Sequence, residues 1–277
     1  MPTYVHGYEA RESERLEDQA RILEALLHDG TAFPPSSRVL EAGCGTGAQT
    51  VALARRSPQA QFTAVDLDAV SLARAKERLQ AAGIASVQLQ QADLRAMPFP
   101  AASFDHVFIC FVLEHLREPV ATLRELGRLL RPGGTLTVIE GDHGSVLIHP
   151  ESAAVHDAVD GLVELQGRAG GDACIGRRLQ PLLVEAGMRE VRVQPRVAYA
   201  DGSRPDWAEA FTRGTFAAMV EGVREQLLAA GLATQERLDE ALRALDRAAE
   251  SDGSFSYTFF KAAAVKEFLD NPSGSHS

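Results

Sequence analysis

A short apolar run that drives into three alternating glycines dominates this chain: Val39-Leu40-Glu41-Ala42-Gly43-Cys44-Gly45-Thr46-Gly47. Glycine reaches positive φ without a Cβ penalty and lets a ligand lie against the backbone. Residues Thr46 to Arg56 then read as a helix whose first N–H groups point at whatever the loop holds. Strand, glycine loop and helix in this order make a ligand-binding turn at the edge of a parallel α/β sheet.

The glycines alone leave the ligand open, because Gly43-x-Gly45-x-x-Ala48 also satisfies the dinucleotide fingerprint. Two acids narrow the choice. Glu41 sets a carboxylate at the strand end, where a pyrophosphate would meet like charge. A ligand with a positive centre and no phosphate, such as S-adenosylmethionine, suits that position better. Asp66 ends the next apolar strand, Phe62–Val65, at a spacing from the loop that suits a ribose diol. A third acid, Asp93, follows a short strand around Val87–Gln90 and is placed to accept from an adenine amino group.

With these residues the chain resembles the class I S-adenosylmethionine-dependent methyltransferases, in particular the small-molecule group related to the quinone-biosynthesis enzymes. The resemblance covers about residues 36–140. It rests on Val39–Gly47, Asp66, Ala92-Asp93-Leu94, Phe104–Val107 leading into Leu113-Glu114-His115-Leu116, and Leu129–Gly134. It implies a doubly wound, seven-stranded Rossmann-like α/β sheet with S-adenosylmethionine as cofactor. It further implies that Glu41, Gly43, Cys44, Gly45, Gly47 and the strand end at Cys110 surround the methionine part. Asp66, with Leu67 beside it, would meet the ribose, Asp93 the adenine amino group, and Leu94 would give adenine a backbone N–H. Tyr8 is implied as a lid contact over the cofactor.

Composition narrows the partners. The formal net charge of −10 argues against nucleic acid and against an anionic membrane surface, since both need clustered Lys and Arg. Three cysteines, an odd number without metal or redox spacing, suit reduced thiols in the cytoplasm. The first residues carry no charged-then-apolar signal pattern, and the longest apolar run, Val107–Leu113, is far short of a membrane span. The expected partner is an uncharged or cationic small-molecule acceptor.

Residues 1–35 are expected to form a helical lid segment and 36–143 the cofactor-binding core. Residues 144–253 would hold the sixth strand and helical insertions, 254–270 the final strand, and 271–277 a disordered tail. The fifth strand is expected at Thr135–Glu140, the sixth at Val191–Val197, and single helices at Asp206–Ala229 and Thr234–Glu250. Asp68 is expected to cap a helix that turns Val70, Ala73 and Leu79 inward. The insertions at 144–170 and 200–250 read as a lid over the methyl group, with a homodimer interface as the alternative. Trp207, Phe211, Phe216 and Met219 would line an apolar acceptor pocket or else pack the lid.

Methyl transfer is an in-line displacement at carbon, so positioning supplies much of the rate. A general base is needed only where the acceptor must lose a proton. His143, expected in a loop just past the fifth strand and facing the cofactor cleft, is the candidate base; a loop hydrogen bond is its plainer role. His115 is expected to pack. Glu140, Asp142 and His143 lack convincing metal-ligand spacing, so no metal is expected. Neither Cys44 nor Cys110 is expected to act as a nucleophile. Two other functions stay open: a cofactor-binding regulator or rearrangement catalyst that moves no methyl group, and an NAD-dependent oxidoreductase.

Overall fold

The computed structural model describes residues 23–267. Tyr8, most of the segment expected to form the N-terminal helical lid and residues 271–277 lie outside these described residues.

The glycine-loop strand β1 (Arg38–Ala42) is followed by α1 (Ala48–Arg56), β2 (Gln61–Asp66), α2 (Ala69–Ala81) and β3 (Val87–Gln91). Then come β4 (Phe104–Cys110), α3 (Pro119–Leu129), β5 (Leu130–His149), α4 (Ala153–Arg168), α5 (Leu179–Glu185) and β6 (Met188–Asp201). A helical stretch over 205–222, α6 (Arg224–Ala229) and α7 (Gln235–Ala248) lead into β7 (Ser254–Lys266). The strands form one sheet of seven, in the order β3-β2-β1-β4-β5-β7-β6. The first five run parallel, and β7 is antiparallel to both of its neighbours. This is the doubly wound α/β sheet implied by the alternation of strands and helices.

The apolar strand β4 has buried residues on both faces, as a central parallel strand must. One core lies against α3 and α5, around Leu40, Val107, Leu123, Leu126 and Leu179. The other joins Phe62 and Phe108 to the helices of the 144–253 region through Val155, Leu162, Phe211, Leu238 and Leu245. Asp68 caps α2 by accepting from Ser71 N at 2.7 Å. The buried face of that helix is Ser71, Ala75 and Leu79, whereas Val70 and Ala73, expected inward, are exposed. The N-cap fixes the helix rotation, and the i, i+4 row that follows from Ser71 is the one turned to the sheet.

Three expectations about the second half change. β5 does not stop at Glu140 but runs to His149, because β7 pairs with it as far as His149↔Ser254. β6 likewise extends to Asp201 against β7. Glycines at 141 and 144 look like loop in sequence, yet Gly141 pairs with Phe259 of β7, and Gly144 falls within the register shift between Asp142 and Leu147, after which the pairing resumes. The third change is in the helix expected over 206–229. It breaks at Val223, after a π turn over Ala208–Ala217 in which the Thr215 hydroxyl donates to Ala210 O.

Candidate functional site

At the carboxyl ends of β1 and β2 the glycine loop is held from below. Gly43 N and Cys44 N both donate to Val65 O, and Gly45 N donates to Asp66 Oδ2 at 2.8 Å. All three glycines have positive φ, each under a different constraint. A Cβ on Gly43 would lie 2.5 Å from Val112 Cγ2, and one on Gly47 would lie 3.0 Å from Ala75 Cβ. A Cβ on Gly45 would meet no atom of the other described residues within 4 Å. The loop is therefore clamped at both ends and open in the middle, where a ligand can approach.

Glu41 is almost wholly buried behind this opening, and its Oε2 has no hydrogen-bond partner among the described residues. Burial pushes its carboxyl up to about 8, the Thr50 hydroxyl opposing the rise and the nearby Asp66 charge adding to it. A buried orphan carboxylate oxygen beside an open glycine loop fits a ligand that brings a cationic hydrogen-bond donor. It does not fit a phosphate. Asp66 also accepts from Asp68 N at 2.9 Å, and burial raises its pKa. Its two oxygens keep lone pairs for further donors. The geometry suits S-adenosylmethionine at the residues expected for it, and a methyltransferase-domain family profile matches residues 39–134.

Over these residues the chain carries the methyltransferase domain, and it is similar to the class I S-adenosylmethionine-dependent methyltransferases. It is 29% identical over 230 residues to 27-O-demethylrifamycin SV methyltransferase of Amycolatopsis mediterranei, covering 80% of this chain and 76% of the relative. Phosphoethanolamine N-methyltransferase 2 of Haemonchus contortus superposes with a TM-score of 0.56 at 19% identity, over 90% of this chain and 52% of that one. The cyclase SpnF superposes with a TM-score of 0.55 at 21% identity, over 91% of this chain and 82% of that one. Among four curated relatives the chain spans from 34% to 76% of the relative's length.

Beyond β3, Asp93 is held by Arg95, whose Nε and Nη2 lie 3.0 and 2.6 Å from its two oxygens. The guanidinium keeps its carboxyl below the usual range. Sequence spacing had no signal for this partner. Leu67 is exposed beside Asp66, and Leu94 is buried. Cys44 and Cys110 are buried, and burial pushes both thiols up, so neither offers a thiolate.

On the acceptor side, His143 sits inside β5 rather than in a loop. It is buried, its N–H donates to Ala173 O, and its Nδ1 lies 2.6 Å from the Tyr257 hydroxyl. Phe216 packs near the imidazole, and Phe211 and Phe255 close round Phe216 and Tyr257. Beside it, buried Asp142 pairs bidentately with Arg177 at 2.6 and 2.7 Å. Tyr257 went unremarked in the sequence, although Phe255, Tyr257 and Phe259 alternate on one face and put a polar tip in an apolar stripe. Phe211, Phe216 and Met219 are core residues of the helical layer, while Trp207 stacks under Arg204 at 3.8 Å. His115 is half-buried, with Nε2 3.5 Å from Glu114 Oε1.

Proposed function

We propose that this chain transfers a methyl group from S-adenosylmethionine to a small-molecule acceptor, with a hydroxyl as the favoured acceptor group. The observation that carries the reading is the orphan Glu41 Oε2 beside the open face of the glycine loop. The bound cofactor would supply an electrophilic methyl on a cationic sulfur. Glu41 would stabilise its positive end, Asp66 the ribose, and Asp93 the adenine amino group in competition with Arg95. Leu67 and Leu94 would bracket the base. The relative named for 27-O-demethylrifamycin SV supports a small-molecule acceptor.

The helical layer of 153–168 and 205–248 would wall the acceptor from water. His143, oriented by Tyr257, is the residue proposed to take the hydroxyl proton. No helix among the described residues is long and apolar enough to cross a membrane. The free cysteines suit a reducing cytoplasm.

Calorimetric titration with S-adenosylmethionine and, separately, NADH tests the cofactor. Labelled methyl transfer across a panel of hydroxylated small molecules tests the reaction. The fold is shared with a cyclase, so cofactor binding without S-adenosylhomocysteine release would move the reading to a rearrangement catalyst. No binding of S-adenosylmethionine would overturn it.

A further inference from the structure

Glu140 ends the parallel part of β5 and is fully buried, yet it belongs to none of the roles above. Its Oε1 accepts from Val112 N at 3.0 Å and Leu113 N at 2.8 Å, while Oε2 has no hydrogen-bond partner among the described residues. The residue just before this pair, Phe111, has φ +56°, a strained conformation for a bulky side chain. Phe111 N donates to Ile139 O at 2.9 Å, so β5 grips the strained residue from both sides. Such strain persists only where the surroundings over-determine it. Its consequence is to seat Val112 against Gly43, where even one added carbon would overlap the valine. From the opposite side, Gln166 of α4 and Asp172 N both donate to Glu114 O, at 3.0 and 2.8 Å. The turn at 111–114 is thus where the glycine loop, β5 and the helical layer meet.

We propose that Glu140 is a positioning residue for the cofactor: its carboxyl oxygen holds the Phe111–Leu113 turn in the strained form that shapes the glycine loop. The inference rests on the cofactor reading given above. Its role is one of reach and acceptance, not charge. Burial, together with the neighbouring Glu114, raises the pKa of Glu140 well above the ordinary range, and a neutral carboxyl oxygen still accepts both N–H groups.

The test compares Glu140→Gln, Glu140→Asp and Glu140→Leu in the full chain, by hydrogen exchange of the 111–114 amides without cofactor and by titration with S-adenosylmethionine. Glutamine keeps an oxygen at the same reach, so protection and affinity should stay within about threefold of the wild type. Aspartate is one methylene short and should lose about tenfold in both despite keeping its acid group. Leucine should lose at least as much. Should the leucine protein not fold, the glutamine–aspartate pair decides alone. Aspartate matching the wild type, or glutamine failing where aspartate succeeds, would overturn the proposal. A wild type that binds no S-adenosylmethionine refutes the cofactor reading, and the exchange comparison then judges the turn by itself.

Discussion

The Tyr257 hydroxyl lies 2.6 Å from Nδ1 of His143, a contact made across the antiparallel β5–β7 pairing by residues 114 positions apart. Gly141 makes the room, since a Cβ there would overlap Tyr257 Oη. Burial pushes the Tyr257 pKa well up, which keeps the phenol neutral and able to donate or accept. Which it does fixes the imidazole tautomer, and so whether Nε2 can take a proton. Tyr257→Phe should cost about 1 kcal/mol of stability through one buried hydrogen bond, a fall of a few degrees in Tm by calorimetry. Imidazole nitrogen shifts in labelled protein should show a mixed tautomer in the variant and a single one in the wild type.

Replacing His143 itself separates chemistry from packing. His143→Gln should leave S-adenosylmethionine affinity within about twofold and lower turnover of a hydroxyl acceptor by about 100-fold, the usual share of a general base. Unchanged turnover at saturating acceptor would remove His143 from the chemistry.

Glu41 should make S-adenosylmethionine binding pH-dependent. With its pKa raised to about 8 from an ordinary 4.5, it is protonated in the cofactor-free protein at neutral pH. The folded state holds the extra proton, so the contribution of Glu41 to stability is full below pH 4.5 and is lost as pH rises through about 8. A cationic ligand reverses the preference and expels the proton. Titration at pH 7 in buffers of different ionisation enthalpy should show release of about one proton, falling to none near pH 9. Glu41→Gln should abolish the release.

Asp66→Asn should weaken S-adenosylmethionine by about 1–3 kcal/mol, the worth of hydrogen bonds to a charged acceptor. Asp66→Ala should cost more, because it also frees Gly45 N, which the carboxylate holds at 2.8 Å. Equal affinities for all three proteins would place the ribose elsewhere.

The three glycines should respond differently to alanine. Gly43→Ala collides with Val112 and Gly47→Ala with the Ala75 backbone, so both should lower Tm as well as affinity. Gly45→Ala meets no atom of the other described residues and should cost only the αL strain of about 1–2 kcal/mol. Its methyl projects into the space assigned to the ligand, so titration should show a loss of affinity far beyond that seen in stability.

What the sequence determined by itself is local. Glycines at alternate positions, an acid at a strand end, an apolar run and a helix cap act within a few residues, and the strand–loop–helix order of residues 36–140 follows from them. The tertiary structure decided everything that depends on a partner distant in the chain. β5 continues through Gly141–His149 only because β7 pairs with it from more than a hundred residues away. That pairing turns His143 from a loop residue into a buried one and brings Tyr257 to it. Glu140 reaches the backbone of Val112 because β4 and β5 lie side by side. Periodicity reports which face of an element is apolar; a hydrogen bond between two elements depends on the register in which they meet, which is set by the packing of the whole sheet.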